Sequence, residues 1–408
     1  MFNSSTSSFL EPLRVRSFRF QWPADLMTSW AFEMEILILG WYVIVETESV
    51  LALTIFASLQ WLGTLLAPYL GVLGDRWGRR TLLCILRAAY LGLSLVLMGL
   101  ALTGSLDPMH VYVVSLLTGL IRPSDLVMRN GLIGDTMPET NLMSAMGLSR
   151  TTMDTARIAG ALFGASLFSL FGIGVAYIAV SLFYCCSLLL TTGVSHVQTN
   201  PRIKDDAAKS AIFNLKQGLV YIWKTPALLA AMWLAFLVNL TVFPISHGIL
   251  PFVAKSIYGA DENGLSHLVA TYAMGALLGS FTMAIIDLRR NSSRFMIVNI
   301  FLMHVLIIIF GHVESKLMGQ ILLLLAGYIQ SLAMISLVVT LLTMTDAKYR
   351  GLVMGVRMMA VYGLPLGLMA SGVLIESFGY TLTVSLYGIG GLFLSALVAI
   401  RWREVIWF

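Results

Sequence analysis

Charge is the first thing this chain lacks. Of its 408 residues only 12% are Asp, Glu, Lys or Arg, while 58% are hydrophobic. An ordinary soluble domain carries roughly 25% charged residues. The mean hydropathy is +0.85. A water-soluble globule has no means of hiding that much apolar surface, and a disordered chain has the opposite composition. A soluble enzyme and a nucleic-acid-binding protein are therefore excluded. Cysteine is scarce too. Cys84, Cys185 and Cys186 lie in apolar runs without metal-ligand spacing, which excludes a secreted disulfide scaffold and marks them as packing residues. Residues 1–8 are polar and lack the basic stretch and apolar core of a cleavable signal peptide. No His/Asp metal constellation, nucleophile motif or phosphate loop is legible, so neither enzymatic activity, cofactor nor bound metal is expected.

What is present is sequence suited to lipid. A membrane helix needs about 20 apolar residues, so the length allows about twelve spans with their loops. Apolar segments fall near 18–45, 49–73, 81–104, 109–132, 142–170, 173–195, 226–251, 265–287, 295–313, 316–344, 351–376 and 380–401. They predict an all-α integral membrane protein with twelve transmembrane helices in two six-helix halves. An even number of spans puts both termini on one side, and loop charge chooses it. With the N-terminus inside, the cytoplasmic positives include Arg14, Arg16, Arg19, the arginines of 76–80, the cluster 202–224, Arg289, Arg290, Arg294, Lys348, Arg350, Arg401 and Arg403; the outer loops hold only Lys255 and Lys316. Both termini are thus expected in the cytoplasm.

The longest polar break, residues 196–210, divides the chain. Residues 1–195 form an N-terminal bundle, 196–225 a cytoplasmic linker and 226–408 a C-terminal bundle. Within the linker, Ile212, Leu215, Leu219 and Ile222 oppose Asn214, Lys216 and Lys224, which predicts a helix lying at the membrane surface. The halves repeat weakly. Gly160 and Gly172 in span 5 correspond to Gly367 and Gly379 in span 11, with a constant offset of 207 residues. Two such halves rocking about a central site is a usual transporter construction.

The sharpest local signal lies between spans 2 and 3, where Gly71, Gly74, Asp75, Arg76, Gly78, Arg79 and Arg80 stand in a ten-residue stretch. Gly71 and Gly74 permit close helix approach, and Gly78 permits a tight turn. Asp75 can meet a helix N-terminus and the neighbouring arginines. The stretch is either a conformational latch or simply a positive topological loop. It resembles the G-x-L-x-D-R-x-G-R-R signature of the major facilitator superfamily, at every defining position and in the expected place, and the resemblance implies the latch. Residues 13–41, this loop, 129–139, 156–160 and 349–351 together look like the drug:proton antiporter branch, which includes macrolide and enterobactin exporters. One departure stands out. Antiporters of this superfamily tend to carry a proline where span 5 has Ala161, although Gly160 and Gly164 keep the small-xxx-small spacing for helix packing.

Charges inside the bilayer come next, because each costs at least about 2.5–3.5 kcal/mol on insertion scales and so needs a partner or water. Span 4 carries Arg122, Asp125 and Arg129 along one face, and span 5 carries Arg150, Asp154 and Arg157. The two stripes face each other or the cavity, and act either in bundle packing or on protons and substrate. The resemblance implies that Asp125 joins the charge relay of the Gly71 loop. Span 1 carries Asp25, Glu33 and Glu35. Asp25, Ser29 and Glu33 share a face, whereas Glu35 points about 200° away from Glu33. Glu33 sits near mid-helix and is the first candidate for proton coupling, Asp25 the second; the alternative is an acid that stays protonated or paired with arginine.

The second half has little charge. Arg357 is its deep cation, suited to an anionic substrate or an acid across the cavity. Asn239, His247, Pro244 and Pro251 lie on span 7, where the prolines free backbone carbonyls and allow bending. His247 near the outer end of span 7 is either a titrating group or, as a lone histidine at a helix end more often is, an interfacial residue, and His267 and His304 are read in the same way. Met354 and Met358 have a copper-transporter spacing, but methionine is also the common filler of apolar helices and no His-x-x-x-Met partner occurs. Trp30, Asn239, Tyr272 and Tyr362 are candidate cavity residues for a bulky amphipathic ligand; packing or interfacial roles are the alternative. The expectation is a secondary active transporter, acting as a monomer, that exports a drug-like molecule or siderophore against inward proton flow. Its partners are then a small-molecule substrate, protons and the lipid bilayer. The rivals are uptake or lipid flipping on the same fold, and a non-transporting membrane receptor.

Overall fold

The computed structural model describes residues 11–65, 73–74, 77–195, 207–285, 292–346 and 349–403. Among them there is no strand. Lipid offers no hydrogen bonds to a backbone, so apolar sequence satisfies its own amides in helices. The helices are α1 (Arg16–Thr47), α2 (Val50–Leu59), α3 (Arg79–Leu102) and α4 (Pro108–Thr136). Next come α5 and α6, residues 139–171 and 173–192 of one continuous element. After a linker helix (Ala207–Lys224) follow α7 (Pro226–Thr241), α8 (Glu262–Ile285), α9 (Ser292–Phe310), α10 (Lys316–Thr343), α11 (Arg350–Phe378) and α12 (Tyr380–Arg401). These positions are consistent with twelve spans. By length and hydropathy alone, eight described helices could cross a membrane, or nine with the bent pair at Thr225; α5 and α6 count there as one.

Local chemistry sets the ends. Asp107 caps α4 by accepting the Met109 amide at 2.8 Å, while His110 Nδ1 accepts the Asp107 amide at 3.2 Å and Pro108 needs no partner for its missing N–H. The repeat read from sequence has a conformational counterpart. Gly172 between α5 and α6 adopts φ 79, ψ 175, and Gly379 between α11 and α12 adopts φ 85, ψ 164. That region is essentially closed to residues with a Cβ. Gly379→Ala is therefore expected to cost about 1–3 kcal/mol. Gly390→Ala on α12, where a Cβ meets open space, is expected to be neutral or stabilising. Thermal unfolding of the two variants in detergent checks the contrast.

Contacts divide the chain into two compact units. The first comprises residues 1–39 and 65–211, the second 40–64 and 212–408. In the first, Leu82, Leu83 and Leu86 of α3 pack on Met128 and Leu132 of α4, with Phe20 of α1 alongside. A second cluster joins Phe18 of α1 to Ile133, Met137, Ala145 and Leu148. α3 meets α6 through the Ser94–Ser181 hydrogen bond at 3.1 Å and the stacked Tyr90–Tyr184 pair.

The second unit contains the end of α1 and all of α2. Ser49 caps α2, donating its hydroxyl to Glu376 Oε1 of α11 at 2.6 Å, and the Leu51 amide donates to the same oxygen at 3.0 Å. An acid there meets both free amides and the positive end of the helix dipole. Lys255 Nζ donates to Ile44 O at 3.0 Å, near the C-terminal end of α1. Ser58 donates to Pro365 O and Tyr362 to Leu62 O, at 3.2 and 2.7 Å. The start of α2 is thus seated along α11 by its own caps as well as by packing.

Candidate functional site

The charged stripe of α4 and Arg157 of the α5 stripe meet on α1. In the lower part of the first unit, four buried charges form a closed set. Arg87 of α3 bonds Asp25 of α1 and lies 3.8 Å from Asp125. Arg129 reaches Asp125 at 2.6 Å and Asp25 at 3.6 Å, and donates to Ser29 Oγ at 3.0 Å. Gln21 donates to Arg129 O at 2.9 Å, and Arg87 also bonds the Thr191 hydroxyl. The four charges balance, and none is more than 6% exposed. Each aspartate is committed to two guanidinium groups, so freeing either one breaks a buried ion pair. Asp25 and Ser29 share a face, as their spacing predicts.

Two turns further along α1 the geometry loosens. Glu33 Oε1 lies 3.8 Å from Arg157 Nε of α5, beyond hydrogen-bond distance, and the side chains are 16% and 33% exposed. Arg122 of α4 lays its guanidinium over the Phe32 ring, 3.3 Å from the centroid, within electrostatic range of both Glu33 and Arg157. Glu33 therefore sits between two cations, and its contact with Arg157 is a loose one. Glu35, on the other side of α1, is buried and accepts hydrogen bonds from Tyr177 and Tyr184 of α6, at 3.2 and 3.0 Å. Arg150 and Asp154 pair with each other at 3.3 Å, with Arg150 71% exposed. Among the described residues no ion pair joins them to the α1 acids. Among the described residues no three His, Cys, Asp or Glu side chains converge as a metal site.

The family model described as Major Facilitator Superfamily matches residues 24–364 of this chain. The chain belongs to the Major Facilitator Superfamily. A curated relative, the uncharacterized MFS-type transporter YfiS of Bacillus subtilis (strain 168), is 25% identical over 231 residues. That match spans 56% of this chain and 53% of YfiS, about half the length of each. Solved structures share the fold at low identity. The POT family transporter PepTSo gives a TM-score of 0.76 at 14% identity, covering 96% of this chain and 98% of its own. The nucleoside transporter NupG gives 0.66 at 14%, covering 95% and 99%. A bacterial homologue of the human lysosomal transporter Spinster, inward-facing and unoccupied, gives 0.73 at 12%, covering 95% and 97%.

In this major facilitator chain, Gly71, Asp75 and Arg76 lie outside the described residues. Of the same stretch, residues 73–74 and 77–80 are described. Gly74 stands against Met128 of α4, and Gly78 turns the chain into α3 at φ 88. Arg79 donates to Gly131 O and Asp135, both at 2.9 Å, and Arg80 bonds Thr192 O. Both arginines thus serve the C-terminal ends of neighbouring helices, where a cation offsets the dipole. The span-5 glycines face α1. A Cβ on Gly160 would lie 2.9 Å from Glu33 Cβ and 3.1 Å from Trp30 O, and one on Gly164 about 3.0 Å from Met34 Cγ. Gly160 thereby sets α5 against the α1 backbone at the turn that carries Glu33.

Of the candidate cavity residues, Trp30 lies in the first unit and Asn239, Tyr272 and Tyr362 in the second. Trp30 meets Phe183 edge-on at 5.8 Å. Tyr272 is buried, edge-on to His247 at 5.7 Å. Asn239 donates to Ala235 O of its own helix at 2.9 Å, and the hydroxyl of Tyr362 is taken by Leu62 O. Arg357 is half-buried on α11. Sequence reasoning missed Arg87 as a site residue, although an arginine in an apolar span was a sufficient signal. It also missed Tyr177 and Tyr184, which nothing local distinguishes from packing aromatics.

Proposed function

We propose that this protein is a monomeric secondary active transporter of the bacterial inner membrane, with both termini cytoplasmic. In this reading it exports a small amphipathic organic molecule, drug-like or siderophore, in exchange for protons, in the manner of the drug:proton antiporters. The observation that carries the proposal is the Glu33–Arg157 contact. It is the intramembrane acid–base pair of α1 that is loose and accessible, against a tetrad that is neither. A proton or a cationic group on the cargo competes with Arg157 and Arg122 for the Glu33 carboxylate. Binding of the two is then mutually exclusive, which is the condition for exchange. Coupling to movement follows from Gly160, which sets α5 directly on the Glu33 turn. A proton biases the access states only by its differential free energy between them, so the group that receives it must change partners. Asp25 and Asp125, each held by two arginines, are the second choice, and Asp154 the third.

The domains of this mechanism are the two bundles, 1–195 and 226–408, with 196–225 as connector. The seat of α2 on α11 then forms the extracellular closure that opens in the other access state.

The test uses proteoliposomes loaded with a pH dye and a panel of siderophores, macrolides and cationic dyes. Wild type is expected to move protons against the substrate, and Glu33→Gln to lose that movement by about tenfold or more while still binding substrate. Substrate movement without a proton signal overturns the coupling. Proton movement that survives in Glu33→Gln transfers the role to Asp25, Asp125 or Asp154.

A further inference from the structure

Over residues 216–224 the linker helix Ala207–Lys224 carries a face that none of the described residues covers, and its setting identifies the occupant. Residues 216–224 make an angle of 111° with α7, across the break at Thr225. A helix turned so far from a membrane-spanning one runs near the membrane plane. One face is packed. Gly218 lies against α11, where a Cβ would come within 3.0 Å of Leu352 O and 3.1 Å of Val356 Cγ2, and Ile222 is buried. Tyr221 stacks on Tyr349 with ring centroids 4.3 Å apart, and its hydroxyl faces Asp346 Oδ2 at 3.5 Å. The other face is open and apolar. Leu219 is 42% exposed, Val220 47% and Trp223 72%. Their spacing of one, three and four residues makes a continuous edge. Lys216 and Lys224 are exposed at its ends, and Arg350 is exposed on the adjoining turn of α11.

An apolar edge with tryptophan at its centre and lysines at its ends matches the chemistry of the lipid boundary: acyl chains below, phosphates above. We propose that this helix is a membrane-surface reader. Its Leu219–Val220–Trp223 edge seats in the acyl boundary, Lys216 and Lys224 gather anionic phospholipid headgroups, and their occupancy is passed to the start of α11 through Gly218 and the Tyr221–Tyr349 stack. The coupling has a short path, because the residues that touch the linker helix, Tyr349, Leu352 and Val356, lie at the N-cap and in the first two turns of the helix that carries Arg357. The proposal is independent of what the protein transports.

The full-length protein is placed in bilayers of phosphatidylcholine with a minority of phosphatidylglycerol. Bromine quencher is carried either by the phosphatidylglycerol or by an equal amount of the phosphatidylcholine. Subtracting Trp223→Phe from wild type isolates the Trp223 fluorescence. Each lysine near an anionic surface enriches anionic lipid by about fivefold. Quenching is therefore expected to be several-fold stronger when phosphatidylglycerol carries the bromine, and the difference is expected to vanish in the exposed double variant Lys216→Gln/Lys224→Gln. Amide exchange of residues 349–359 is expected to slow when phosphatidylglycerol is present, in wild type and not in the double variant. If Trp223 is quenched by neither lipid, another partner covers the face and the proposal fails. Equal quenching by both removes the headgroup preference, and unchanged exchange at 349–359 removes the coupling to α11.

Discussion

Arg87→Ala is expected to melt the protein about 10 °C below wild type, in a series where most charge substitutions barely register. The guanidinium is wholly buried and is the bond partner of Asp25, with Asp125 at 3.8 Å. Removing it leaves two buried carboxylates in the bundle with Arg129 as their remaining tight cation, one net negative charge uncompensated. Breaking a buried pair by deleting one partner costs about 3–5 kcal/mol, because the other charge stays behind uncompensated. At roughly 2–4 °C per kcal/mol for a unit of this size, the shift is about 10 °C. Arg150→Ala is the control. Arg150 pairs with Asp154 but is 71% exposed, so its loss is expected to fall within about 1 kcal/mol. Thermal unfolding in detergent, followed by size-exclusion fluorescence, separates the two. If Arg87→Ala melts with Arg150→Ala, the tetrad is not the clamp that joins α1, α3 and α4.

The same contrast shows how far the sequence could be read. The spans were legible because lipid imposes a composition on every span-length stretch, and the helices fall where that composition does. The stripes on α4 and α5 were legible as faces, since helical periodicity fixes which residues of one helix stand together. Periodicity does not say which neighbour a face meets. Arg129 and Arg157 were therefore placed on the right faces without their shared partner, α1. Glu35 illustrates a different limit. Its angle to Glu33 correctly set it apart, but only tertiary packing brings Tyr177 and Tyr184 to its oxygens. Asn239 and Tyr362 stood out as polar residues in apolar helices, and both hydrogen-bond backbone carbonyls in the second unit. A polar side chain in a membrane helix satisfies the bilayer's demand for a partner just as well by bonding a carbonyl as by facing a cavity. The equivalence of Gly172 and Gly379 was legible as a 207-residue offset, and their shared backbone conformation gives that offset a physical cause.

A legible feature that sequence reading passed over leads to the second large effect. Gly275 and Gly279 on α8 have the small-xxx-small spacing of helices that cross at backbone distance. In the second unit they cross α10. A Cβ on Gly275 would fall on Leu324 O, within 2.8 Å of Leu324 C and 3.0 Å of Tyr328 N, and one on Gly279 would lie 2.5 Å from Tyr328 O. Gly327 of α10 returns the contact, facing Tyr272 O and, at 3.0 Å, Ala276 N. The atoms in the way are backbone, so no rotamer change makes room and the two helices must part along their whole crossing. Gly275→Ala is thus expected to cost about 3 kcal/mol, the upper end of ordinary overpacking. Gly74→Ala meets chiefly Met128 Sδ and Cε, the far end of a flexible side chain, and is expected to cost less than about 1 kcal/mol. Both variants add one methyl group at a close helix contact and differ in whether the obstacle can move. A Gly275→Ala protein that unfolds with Gly74→Ala would mean that α8 and α10 separate without loss, and the crossing would then be a hinge of the second bundle and not its fixed axis.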